Sequence, residues 1–79
     1  MRQIDRESRV PPWQQIADHL RAAIERGEYD ADGPPLPSVN RLAQEYDVAR
    51  RTAHKALKAL RDENLIETED GMGYYLKRR

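Results

Sequence analysis

"SVNRLAQEYDVARRTAHKALKALRD", residues 38–62, holds two helical patterns with almost nothing between them. Ser38 is a good N-cap, and Val39, Leu42, Ala43 and Tyr46 recur at helical spacing, which predicts a helix over about 39–46. A second stripe, Ala53, Ala56, Leu57 and Leu60, predicts a helix from about 49 or 50 to about 63. Only "DV" remains as the turn, with Asp47 where a left-handed residue can end the first helix. Two helices joined this tightly form a helix-turn-helix unit.

The second of these helices opens with Arg50 and Arg51. A helix N-terminus already carries unpaired N–H groups and the positive end of the macrodipole, so acids stabilise it and cations do not. An arginine pair there makes sense when an anion completes the site. Free N–H groups attract phosphate, and the guanidinium fork binds phosphate or guanine O6/N7 with two hydrogen bonds. The plainer alternative is that Asp47 caps the helix and offsets two solvated arginines. Arg51, His54, Lys55 and Lys58 continue the polar face at i, i+3, i+4 and i+7.

Upstream, "WQQIADHLRAAIERG" (13–27) places Trp13, Ile16, Ala17, Leu20 and Ile24 on one helical stripe. Pro12 suits a first helical position and Gly27 a C-terminal stop, so a helix is predicted over about 12–26. Trp13 and Tyr46 read as core residues through their stripes, and His19, off its stripe, as solvated. Residues 1–11 lack any period and read as a flexible arm. Its Arg2, Arg6 and Arg9 alternate with Asp5 and Glu7, which fits disorder better than insertion into a minor groove. "EYDADGPPLP" (28–37) is a loop anchored by Leu36, in a short extended segment before proline.

Downstream, "LIETEDGMGYYLKRR" (65–79) changes period. Two strand-like runs flank "DGMG", so a hairpin is expected with Asp70-Gly71 as its turn. Tyr74 and Tyr75 point to opposite faces, so at most one packs inward. The expected fold is mainly α with a small β-hairpin: a winged helix-turn-helix of three helices plus a two-stranded wing, over residues 12–79.

With 79 residues the chain is long enough for one domain with a modest core. Its charge balances, 14 cations against 14 anions, but not locally. Residues 41–61 hold Arg41, Arg50, Arg51, Lys55, Lys58 and Arg61 against Glu45 and Asp47, a local charge of +4. The absence of cysteine excludes disulfides and thiolate metal sites and fits a reducing compartment. No apolar run approaches a membrane span or signal core, so a cytoplasmic protein is expected. Enzyme chemistry has little support. Glu67, Glu69 and Asp70 cluster on a hairpin with no pocket-forming chain around them, two histidines are too few for a metal site, and no nucleophile–base or phosphate-loop motif occurs. No cofactor is expected.

In order along residues 12–77, "WQQIADHLRAAIERGEY", "LPS…LA", "V-x-R-x-T", "AL-x-x-L-x-x-x-x-L-I" and "GMGYY" resemble the DNA-binding domain of GntR-type bacterial transcription regulators. The resemblance implies that the third helix enters the major groove, that the wing tip around Gly71 approaches the minor groove, and that the N-terminus of the second helix holds phosphate. It also implies a repressor acting on a palindromic operator, with a homodimer on DNA. A small-molecule effector is implied only if a C-terminal domain follows "LKRR". This chain departs from the family pattern at several places. Ser38-Val39-Asn40-Arg41 replaces Ser-Glu-Arg-Glu, so Asn40 takes the phosphate-binding arginine position and Arg41 stands beside it. Asp47 replaces glycine, Ala49 replaces Ser or Thr, and His54 stands where a base-contacting arginine is frequent. Asp70 at the wing tip would be repelled by phosphate. These changes imply an altered target sequence or weaker binding.

The residues expected to meet double-stranded DNA are therefore Arg50, Arg51 and His54 at base edges and Arg41, Thr52, Lys55 and Lys58 at phosphates. Ser38 belongs with them at a helix end and Gly71 at the wing. Thr52 could equally cap its own helix. The competing reading is a winged helix that binds protein and not DNA. Salt-dependent binding to duplex separates the two.

Overall fold

The computed structural model describes residues 4–29, 36–68 and 73–77. Within them the chain forms α1 (Pro12–Glu25), α2 (Val39–Tyr46), α3 (Arg50–Asp62), β1 (Ile66–Thr68) and β2 (Tyr74–Leu76). The order and approximate bounds are those read from the sequence. The strands pair antiparallel with Ile66 opposite Leu76, Glu67 opposite Tyr75 and Thr68 opposite Tyr74. The expected turn at Asp70-Gly71 lies outside the described residues.

Each helix ends for a local reason. Gly27 (φ 80) follows α1, and the N–H groups of Gly27 and Glu28 return to the carbonyls of Ile24 and Ala23, both at 3.0 Å. Asn64 (φ 64) does the same after α3, its N–H reaching Arg61 O and that of Leu65 reaching Leu60 O. Asp47 (φ 53) closes α2 in the left-handed region, and the Val48 N–H bonds Ala43 O at 3.0 Å. Asp47 thus terminates α2. It does not cap α3, whose N-cap is Ala49.

The core is where the stripes meet. Ala53, Ala56, Leu57 and Leu60 of α3 are fully buried against Ile16, Ala17 and Leu20 of α1 and Leu42 and Tyr46 of α2. Alanine at 53 and 56 lets α3 lie close to both neighbours, with the leucines filling the space between. Ile66 and half-buried Tyr74 close the wing side. Tyr74 is therefore the inward tyrosine, and the Leu36 N–H bonds its carbonyl at 2.8 Å, laying the segment before α2 along β2.

Three features depart from what the sequence led us to expect. Trp13 is only half-buried and stands outside the core cluster. At the N-terminal end of α1 the ring lies against Lys55 of α3 at the surface, and Ala23 supplies buried surface at the other end. His19 is exposed, yet its Nδ1 lies 3.1 Å from the Tyr46 hydroxyl, so it is a hydrogen-bond partner of the buried tyrosine. Residues 4–11 carry contacts too. The Gln15 side chain bonds the N–H and carbonyl of Asp5 and the carbonyl of Val10, Ile4 packs on the core, and Arg6 donates to Tyr46 O (3.2 Å) and Asp47 O (2.5 Å). A cation at the C-terminal carbonyls of α2 sits at the negative end of its dipole.

Candidate nucleic-acid interface

Two helix N-termini meet at one shallow depression, lined by Val39, Arg50, Arg51 and His54. Val39 is the first residue of α2, and Arg50 is the first of α3. The two ends differ in how they are finished. At α2 the Ser38 hydroxyl accepts the Arg41 N–H at 3.1 Å, an N-cap that satisfies one orphan donor. At α3 no side chain caps the helix and no acid lies in its first turn. Half-buried Thr52 sends its backbone N–H to Ala49 O at 3.0 Å, but its side chain does not cap the helix. The open end is the one bearing the arginines.

The cations of the +4 segment fall into groups that spacing on α3 alone did not separate. Arg41 Nε is 2.7 Å from Glu45 Oε2, and Lys58 Nζ is 3.0 Å from Asp62 Oδ2, both i,i+4 pairs on exposed helix surface. Their charges are offset locally. Lys55 Nζ stands 4.9 Å from the centre of the Trp13 ring. Arg50, Arg51 and His54 are exposed, and their side chains have no hydrogen-bond or ion-pair partner among the described residues. The structure therefore brings Arg50, Arg51 and His54 to one place, beside the first residue of the helix that Ser38 caps, and leaves the three at the α3 tip unpaired among the described residues. It sets Lys55 and Lys58 farther along α3, at a second depression shared with Trp13, Ala59 and Asp62. Gly71 lies outside the described residues. The spacing of Glu45 and Asp62 was a legible signal for both ion pairs; nothing local signalled the Trp13–Lys55 contact.

At its other end α3 is anchored to α1. Arg21 reaches Glu63 through Nε at 2.9 Å and through Nη2, and Asp18 at 2.6 Å. These hydrogen bonds, first to Glu63 and then to Asp18, hold its guanidinium still further above the ordinary arginine range. Among the described residues no group of histidines and carboxylates could hold a metal ion, and no helix is long and apolar enough to cross a membrane.

A tight two-helix turn, an uncapped cationic helix tip and a hairpin against the same core define a winged helix-turn-helix domain. The profile "Bacterial regulatory proteins, gntR family" matches residues 12–76, and the chain belongs to that family. It is 39% identical over 67 residues to the mannosyl-D-glycerate transport/metabolism system repressor MngR of Escherichia coli, covering 85% of this chain and 28% of that protein. The chain thus spans less than a third of that repressor's length. Among solved structures it is similar to YtrA from Sulfolobus acidocaldarius, a GntR-family transcription factor. The TM-score is 0.86 with 37% identity, over 96% of this chain and 79% of that one. It is also similar to the AraR DNA-binding domain in complex with operator ORE1, at TM-score 0.80 and 26% identity, over 92% of this chain and 88% of that one.

Proposed function

We propose that this chain is the sequence-specific double-stranded DNA-binding part of a bacterial transcription regulator, a repressor working in the cytoplasm. The observation that carries the reading is the tip of α3: two arginines and a histidine without partners, on a helix end with no cap and no acid, beside the N-terminus of α2. Phosphate or a base edge supplies what that tip lacks. Arg50, Arg51 and His54 read bases in the major groove. Arg41, Thr52, Lys55 and Lys58 hold phosphates, Ser38 presents the end of α2, and the wing near Gly71 follows the minor groove. Membership of the GntR family and the likeness to an operator-bound domain support this reading.

A single module of this kind buries about 600–1,000 Å² of protein surface on DNA. One copy therefore binds weakly, and two copies on a palindrome bind usefully. The test is selection of duplexes from a random pool at defined salt, followed by titration of the winner. The expected result is a symmetric consensus whose log affinity falls steeply with log salt, by about 0.9 for each phosphate neutralised. A flat salt response, or no enrichment of any sequence, would overturn the reading in favour of a protein-binding winged helix.

A further inference from the structure

Trp13 has no place in the core, yet it is not idle surface. It sits in the first turn of α1, half-buried, with Lys55 of α3 over its ring. Lys58 and Asp62 line the same depression. The two lysines there are fixed by different means. A carboxylate locates Lys58 and offsets part of its charge. An aromatic face attracts an ammonium through its quadrupole but carries no net charge, so the ring locates Lys55 without an ion-pair partner of its own. A flexible lysine must give up rotamer freedom to bind phosphate, and one already held gives up less.

We propose that Trp13 is a positioning residue for phosphate binding: its ring holds the Lys55 ammonium at the α1 edge of the α3 surface, so that the interface with duplex DNA extends over the seam between α1 and α3. The inference rests on the DNA-binding reading above. Trp13 acts through Lys55 and need not touch DNA itself.

The experiment is a double-mutant cycle on a labelled mixed-sequence duplex at low salt, because phosphate contacts do not depend on sequence. Trp13→Leu is expected to weaken binding about 3- to 5-fold, because a lysine no longer held in place must give up its rotamer freedom on binding phosphate. Trp13→Phe, which keeps a ring, is expected to stay within about 2-fold. Lys55→Ala weakens binding and lowers the salt slope by about one. In the Lys55→Ala background, Trp13→Leu should have no further effect. An equal loss with and without Lys55 would show that the indole contacts DNA directly or merely supports the fold, and would overturn the proposal. So would a Trp13→Leu protein that binds as the wild type does.

A second measurement needs no variant. The ε-methylene protons of Lys55 should show an upfield ring-current shift in the unmodified protein and keep it in the complex. Ordinary lysine shifts there would equally sink the idea. If the wild type shows no salt-dependent binding to duplex, the DNA reading itself fails. Binding without coupling between Trp13 and Lys55 removes only the role of Trp13.

Discussion

Arg50 and Lys58 lie on the same helix and carry the same charge, but they stand in different electrostatic situations. Arg50 has no partner at an uncapped helix end, whereas Lys58 is held by Asp62 at 3.0 Å. Arg50→Ala is expected to cost about 1–3 kcal/mol on the selected operator and to relax preference at one base position. Lys58→Ala should weaken binding evenly on all sequences. Competition titrations on the operator and on scrambled duplex distinguish the two, and similar negligible losses for both would contradict the assignment. Asp62→Asn separates charge from position. It frees Lys58 and removes a negative charge from the same depression, so duplex affinity should rise about 2- to 5-fold, the range set by an exposed ion pair. Titration of a labelled duplex reads this out. A drop in affinity would mean that Asp62 serves to orient Lys58 and that its charge matters less.

At the scale of the element, the turn between α2 and α3 decides how the cationic tip is presented. Asp47 occupies the left-handed region at φ 53, where an L-residue is strained and glycine is not. Asp47→Gly is expected to stabilise the domain by up to about 1 kcal/mol, read as a higher melting temperature. It also removes an anion next to the α3 tip, so duplex binding should tighten. A lower melting temperature would mean that the Asp47 side chain supports the turn in some way its backbone does not reveal. The sequence allowed a left-handed Asp47 but also allowed it to cap α3. Both use a short polar side chain at a helix boundary, and only the backbone angle separates them. Asn64 after α3 carries the same signature, a left-handed non-glycine residue followed by an aliphatic one, Leu65 there and Val48 after Asp47.

For the whole molecule, α3 is the shared wall between α1 and α2, and the site depends on its being held there. Leu57 is fully buried at that junction. Leu57→Ala should cost about 2–5 kcal/mol, a large part of the roughly 4–12 kcal/mol that a domain of this length has in total. Chemical denaturation should show an earlier midpoint, with DNA binding lost in proportion to the unfolded fraction. A folded variant of unchanged midpoint would mean the core relaxes around the cavity. The far end of α3 is held by Arg21 bridging Glu63 and Asp18. A guanidinium raised above its ordinary range contributes stability that is present at all lower pH and is lost only in strong alkali. The arginine side of this bridge therefore adds no pH dependence near neutrality.

The sequence by itself determined the elements, their order and most of the buried face, because helical period, hairpin turns and helix caps are set by residues close together in the chain. It also marked Arg50 and Arg51 as out of place, since a helix end is a local object. Only the tertiary structure decided that Trp13 leaves the core, that His19 bonds Tyr46, that Arg6 ties onto the end of α2, and that Lys55 lies over an aromatic face. Periodicity fixes the angle at which a side chain leaves its own helix. It does not fix where the neighbouring helix begins or ends, and those partners come together only when the chain folds.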